Sequence, residues 1–398
     1  MIRTQRRGPD GPISFVASLS RPSVFCAFLV LLAPLIGCAS RPETGFLSPV
    51  AEGATGASSH DVLVATTRER DSREGTMFNG ERARALDFAE LTVSVPPTHK
   101  PGNIEWASTA PGSAATDFVV RDETYLDGDK QFLTRLNAQL ATRPRGSRKV
   151  LVFVHGYNTM FAEGLYRGVQ VVEDAKSGAV PVLFTWASRG QLTGYVYDNN
   201  SATAARDDLE RTLRLVFASD ADQINILAHS MGNWVTVEAL RQIKISGRLP
   251  PMQKLGSIVL TSPDIDIDVF KSQMRRFGKP QKPFYIVLSR DDKALQLSKF
   301  IAGGQDRLGA EANVEELAAL GAVVIDMTEV AGADSSNHDK FAQLAEVAPQ
   351  LAAVLQNGVG AVPGSASQSQ GAPADALGSV VALPFRLLGG PIRIISGQ

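Results

Sequence analysis

From Lys149 onward, short uninterrupted apolar runs recur along the chain, separated by stretches in which apolar and polar positions alternate at helical spacing. The runs at 150–154, 180–186, 224–228, 255–260, 284–288 and 322–325 have the length and composition of strands buried on both faces of a parallel sheet. Between them, Phe161, Leu165 and Val172 mark one amphipathic segment, and Leu209, Leu213 and Val216 mark another. Phe341, Leu344, Ala348, Leu351 and Leu355 mark a third. Apolar residues three and four apart predict helices with one buried face. Strands that alternate with helices predict an α/β fold with a mostly parallel central sheet and helices on both faces. Upstream, 62–64, 91–95 and 117–121 read as earlier strands, the second closed by Pro96-Pro97.

The two ends of the chain break this pattern. Residues 24–36 are an apolar run behind a leader carrying Arg3, Arg6 and Arg7. The run is shorter than the roughly 20 residues a membrane span needs, so it reads as a secretion signal over residues 1–37. Leu35-Ile36-Gly37-Cys38 resembles a bacterial lipobox, which implies that Cys38 is lipidated and becomes the mature N-terminus. An uncleaved anchor helix, or an unused leader with a chance cysteine, is the alternative. Arg6-Arg7 is a poor match to twin-arginine export. Residues 38–60 are rich in Ser, Gly, Ala, Pro and Thr and read as a tether, which puts the folded body at 61–357. Residues 358–376 form a low-complexity linker. An apolar arm at 377–398, interrupted by Pro384, Gly389, Gly390 and Pro391, is expected to pack irregularly on the body.

Composition narrows the function classes. The chain has 398 residues, 44% hydrophobic and 20% charged, with a formal net charge of −1. Beyond the leader no block of Lys and Arg gathers, so nucleic acid has no electrostatic footprint. Cys26 and Cys38 are the two cysteines, and removal of the leader leaves no pair for an internal disulfide. A membrane reached through the lipid anchor is the partner this end of the chain suggests.

The chemistry gathers around one serine. The strand at 224–228 runs into His229-Ser230-Met231-Gly232 and then into a helix-like segment. This is close to the G-x-S-x-G nucleophile elbow, with Ala228 in place of the first glycine. Small residues are required there because the serine sits on a strained strand-to-helix turn. A plain helix cap is the alternative reading of Ser230. His155-Gly156-Tyr157 ends the strand at 150–154, where α/β hydrolases place a backbone N–H for the oxyanion hole. Gly156 or Tyr157 would supply one donor and Met231 the other.

Of the five histidines, only His338 lies after Ser230, in the order serine, acid, histidine that this fold uses. A surface histidine at a helix start, with Asn337 as the helix cap, is the alternative. His155 and His229 lack metal-ligand spacing and read as structural parts of their loops. No metal or other cofactor is expected. Asp291 and Asp292 follow the strand at 284–288, and Asp264 follows the preceding one; any of these could orient His338. Tyr157, Tyr195, Tyr197 and Trp234 are candidates to line a substrate pocket, or else to serve the core.

Taken together, these motifs resemble a family of bacterial α/β hydrolases, many of them predicted lipoproteins, long catalogued as a domain of unknown function. The resemblance covers about 61–355. It rests on Val95-Pro96-Pro97-Thr98-His99, His155-Gly156-Tyr157-Asn158, Phe184-Thr185-Trp186, His229-Ser230-Met231-Gly232-Asn233-Trp234, Ser262-Pro263-Asp264-Ile265-Asp266, Ser289-Arg290-Asp291-Asp292-Lys293-Ala294-Leu295 and the late His338. The resemblance implies that Asp292, just before Lys293-Ala294-Leu295, is the acid. It also implies hydrolase chemistry but no substrate; the serine, acid and histidine themselves point to cleavage of an ester or related acyl bond of a small-molecule or lipid acyl substrate, at an envelope-anchored protein. Protease or thioesterase activity, and a non-catalytic lipoprotein that keeps the fold for binding, are the alternatives. Residues 261–283 are too few for a separate cap domain, so an open site is expected.

Overall fold

A computed structural model describes residues 41, 43–278, 280, 282–310, 313–330, 332, 335–345, 379–387 and 390–396. The leader, Cys38, the linker at 358–376 and most of the third amphipathic segment lie outside the described residues.

Continuous apolar runs become the strands of the centre. These are β4 (Lys149–Val154), β5 (Val180–Thr185), β6 (Gln223–His229), β7 (Leu255–Thr261), β8 (Phe284–Leu288) and β9 (Ala322–Asp326). Every residue of β5, β8 and β9 is buried, as strands covered on both faces require. Before them come β1 (Ser58–Arg70), β2 (Phe78–Val95) and β3 (Val119–Leu126), and at the C-terminus β10 (Ser379–Leu387) and β11 (Gly390–Ser396). All join one sheet in the order β10-β11-β9-β8-β7-β6-β4-β5-β1-β2-β3. The pairings from β9 to β1 are parallel, and those at both edges are antiparallel.

Side chains alternate between two cores, as the two-residue repeat of a strand dictates. Val150, Val152 and Val154 face one core, together with α1 (Gly128–Ala141), α4 (Arg206–Ala218), α5 (Met231–Ile245) and α6 (Ile267–Phe277). Phe153 faces the other, with Phe161, Leu165 and Val169 of α2 (Phe161–Ala175). The other α-helices among the described residues are α3 (Tyr195–Ala204), α7 (Lys293–Ile301) and α8 (Val314–Ala319).

Three expectations change. Residues 38–60 are not all tether: Leu47 is 1% exposed, and backbone bonds join Leu47 to Gly75 and Val50 to Val120. Burying a leucine contributes about 1.5–3 kcal/mol, enough to hold a short segment down, so the folded body starts well before residue 61. The arm at 377–398 is not irregular, because β10 and β11 pair as a hairpin and β11 pairs with β9 through Arg393–Ser396. Pro384 falls in the register shift between Ala382 and Arg386, where a missing N–H breaks no ladder. The segment expected to be a helix from Phe341 begins instead as a 3₁₀ turn, Lys340–Ala345.

One topological feature positions the site. From β4 the chain adds β5 on one side and then crosses to add β6 on the other. The carboxyl ends of β4 and β6 therefore flank the point where strand order reverses, the position at which open α/β sheets form ligand crevices. Val154-His155-Gly156 and His229-Ser230 sit there.

Candidate active site

Ser230 lies between the last residue of β6 and the first of α5, with φ 52° and ψ −125°. A left-handed backbone costs a side-chain-bearing residue on the order of 1–3 kcal/mol, so surrounding bonds must impose it. They do: Ser230 N–H donates to Thr261 O at 3.0 Å. Ser230 O accepts from Asn233 N at 3.1 Å, Asp264 N at 3.2 Å and Asn233 Nδ2 at 2.8 Å. Asn233 Nδ2 also donates to Thr261 O at 2.8 Å, so one buried amide ties the elbow to the neighbouring strand. The requirement for small neighbours is visible as distances. A Cβ on Gly232 would lie 2.3 Å from His155 O and 2.7 Å from Val154 O. A Cβ on Gly156 would lie 2.6 Å from Ser230 Cβ, so the His155-Gly156-Tyr157 loop rests directly on the serine. Ala228 is fully buried, and its methyl is accommodated. Met231 is the first residue of α5, and its N–H belongs to a helix end that has no intrahelical acceptor and carries partial positive charge.

Asp292 caps α7 with one carboxylate oxygen, Oδ1, which accepts from Leu295 N at 3.0 Å. The other, Oδ2, accepts from His338 Nδ1 at 2.7 Å. Because the carboxylate can only accept, His338 carries its proton on Nδ1, and Nε2 is the basic nitrogen. Burial disfavours the His338 imidazolium, but the hydrogen bond and charge of Asp292 outweigh it and raise the pKa above the ordinary 6.5. The His338 ring lies 4.7 Å from that of His229, the residue before the serine, and His338 O accepts from Ser262 Oγ at 3.0 Å.

The other two acids have different partners. Asp291 accepts from Lys340 Nζ at 2.7 and 2.9 Å and from Asn337 Nδ2 at 2.9 Å, and also from Ser289 Oγ. Asn337 and Lys340 flank His338, so Asp291 pins the loop while Asp292 holds the ring. Asn337 has φ 60°, and its side-chain amide is used on Asp291. Asp264 accepts from Ser298 Oγ at 2.5 Å and Tyr195 OH at 3.1 Å, and sits 3.2 Å from Arg307 Nε. It has no bond to His338 among those described.

His229 is held neutral by burial and by the nearby His338, with its pKa pushed down to about 3. His155 is likewise kept neutral by burial and by Arg68. His155 stacks on Trp186 at 5.0 Å, and Trp186 Nε1 donates to His155 O at 3.0 Å. Of the aromatic candidates, Tyr157 meets Tyr195 edge to face at 5.2 Å and donates its hydroxyl to Leu192 O. Tyr195 reaches back to Asp264, beside the elbow. Tyr197 turns away: its hydroxyl donates to Gly80 O and Glu81, and Arg189 covers its ring at 3.7 Å. Trp234 packs α5 against α3, with Nε1 donating to Thr203 Oγ1 at 3.2 Å. The sequence reading missed Arg68, Asp198 and Lys340; all three are buried charges, and each is bonded in part to backbone carbonyls or amides. Between β7 and β8 the described residues contain one helix, α6, and no cap domain, yet Ser230 is 4% exposed and the site is recessed.

A family model described as an alpha/beta hydrolase of unknown function (DUF900) matches residues 129–355, more than half of the chain. No curated protein matches.

Proposed function

We propose that the chain, which belongs to this α/β-hydrolase family, is a serine hydrolase that cleaves an ester or related acyl bond through an acyl-enzyme on Ser230. What supports this reading above all is the 2.7 Å bond from His338 to a buried Asp292, with the His338 ring 4.7 Å from that of His229, the residue before a serine forced into a left-handed turn at a helix N-terminus. In the reaction His338 Nε2 takes the Ser230 Oγ proton as Oγ attacks the acyl carbon. Asp292 stabilises the imidazolium that forms and holds its orientation. The tetrahedral oxyanion is held by Met231 N–H and by the loop carrying Gly156 and Tyr157. The imidazolium then protonates the leaving group, and water, deprotonated by His338, releases the acyl group. Tyr157 and Tyr195 wall the approach.

Labelling with a fluorophosphonate probe tests this directly. The wild-type protein is expected to label and Ser230→Ala to remain unlabelled. A folded wild-type protein that stays unlabelled would withdraw the triad and favour a binding role. We further propose that the protein is anchored in a bacterial envelope through Cys38, supported by the basic leader, the apolar run and the lipobox-like Leu35-Ile36-Gly37-Cys38. Cys38→Ser should move the protein from the membrane fraction to the soluble fraction.

A further inference from the structure

Arg68, near the end of β1, is 1% exposed, and its described hydrogen bonds reach no carboxylate. Burial lowers its pKa to about 10. An interior charge of this kind is expensive unless every donor is used. Its Nε donates to Thr185 Oγ1 at 2.7 Å, and Nη1 donates to Ser188 O at 2.8 Å and Asn79 O at 3.1 Å. Nη2 donates to Thr159 O at 2.7 Å and lies 3.3 Å from His155 Nε2. Thr159 belongs to the loop that carries Gly156 and Tyr157.

The direction of each bond in this cluster follows from chemistry. A guanidinium only donates, and a carbonyl only accepts. His155 Nδ1 lies 2.8 Å from Gly156 O, so Nδ1 bears the proton and Nε2 is an acceptor. Thr185 Oγ1, having accepted from Arg68, gives its own proton to His155 Nε2 at 2.8 Å. The polarity therefore runs one way, from Arg68 through Thr185 and His155 to the Gly156 carbonyl. The peptide unit between Gly156 and Tyr157 is planar and trans, so holding its C=O against the His155 ring aims the Tyr157 N–H in the opposite direction. The far end of the loop is fixed as well: Asn158 N–H donates to the buried Asp198 at 3.1 Å, and Thr159 N–H donates to Ser188 Oγ at 3.0 Å.

We propose that Arg68 is a positioning residue for the oxyanion hole: through Thr185 and the Nδ1–H tautomer of His155 it fixes the Gly156 carbonyl, and so makes the Tyr157 N–H, rather than that of Gly156, the loop's donor to the oxyanion. This rests on the serine-hydrolase reading of Ser230.

The test compares Thr185→Val, which removes the hydroxyl at nearly constant shape, with Thr185→Ser, which keeps it. Thr185→Val should lower kcat and the phosphonate labelling rate by about 10- to 100-fold with KM within about twofold of wild type, because a donor used only in the transition state is misaligned. Thr185→Ser should restore most of the rate. Nitrogen NMR of the wild-type protein should show His155 as the neutral Nδ1–H tautomer. A Thr185→Val enzyme at the wild-type rate, equal losses in both variants, or the Nε2–H tautomer would overturn the relay. If the wild-type protein fails to label at all, the hydrolase reading falls, and the tautomer measurement still reports separately on the relay.

Discussion

Gly156→Ala puts a single methyl group where the structure has no room for one. The new Cβ would lie 2.6 Å from Ser230 Cβ and 3.1 Å from both His229 Nδ1 and His229 O. Carbon atoms in contact rest about 3.5–4.0 Å apart, so the gap must open by about 1 Å. None of these neighbours is the far end of a flexible side chain. Ser230 is held through its own N–H and through three donors to its carbonyl, so the loop is the part that yields. Moving an oxyanion donor by about 1 Å costs about 100-fold in rate, or roughly 2.7 kcal/mol of transition-state stabilisation. The overpacking itself should destabilise the fold by about 1–3 kcal/mol. The assay is the rate of phosphonate labelling and of ester turnover, with melting temperature measured alongside. Gly164→Ala is the control: it faces His155 Cδ2 at an ordinary 3.4 Å from inside α2, where alanine gains helix propensity of about 1 kcal/mol. A Gly156→Ala protein that labels within about threefold of wild type would refute the placement of this loop against the serine.

Other consequences follow from the same geometry. Asp292→Asn should lower kcat by about 10⁴-fold, since an amide no longer selects the Nδ1–H tautomer. Asp264→Asn should mainly destabilise, by removing the carboxylate beside buried Arg307; a larger loss of kcat there than at Asp292 would move the acid. Because Asp292 raises the His338 pKa despite burial, kcat/KM should fall with decreasing pH on a limb centred above 6.5, and a limb at or below 6.5 would contradict the bond. His99 lies between Glu105 at 2.7 Å and Asp174 at 2.8 Å, and although burial opposes its charge, these partners raise its pKa to about 9. A raised imidazole contributes stability that is complete below its unfolded value and lost as pH rises through the folded one, here on the order of 3 kcal/mol. Wild type and His99→Gln should therefore differ in urea midpoint at pH 6 and converge by pH 10; a difference constant with pH would exclude stabilisation by the charged His99 between Glu105 and Asp174.

The centre of the fold was legible because strands buried on both faces leave an unmistakable mark: 180–185 and 284–288 have hardly a polar position to hide. The edges were not. β2 runs for 18 residues, but Arg82, Arg84 and Asp87 interrupt its apolar pattern, so only 91–95 announced itself. α1 was missed because just Phe132, Leu136 and Leu140 are buried, a stripe too narrow to stand out among Lys, Arg, Gln and Asn. α3 follows a turn and carries a buried Asp198, which reads from sequence as a surface residue.

The site divides along the same physical line. Ser230 and His338 could be singled out because order along the chain and position at strand ends constrain them, and Asp292 was preferred to Asp291 and Asp264 through the family resemblance; none of these depends on knowing distances. The supporting charges could not, because their partners are remote in sequence and mostly backbone. Arg68 bonds the carbonyls of Thr159 and Ser188, and Lys340 those of Met327 and Thr328; a carbonyl has no identity in a sequence. The adjacent acids show how far pattern reaches. Asp291 and Asp292 are chemically identical and one residue apart, and what separates them is that successive side chains at a helix start point in different directions. Asp292, at the cap, turns inward to the His338 ring, while Asp291 reaches Asn337 and Lys340 on either side of it. Together the pair fixes both the ring and the loop that carries it, so the proposed general base is positioned by two carboxylates with separate tasks.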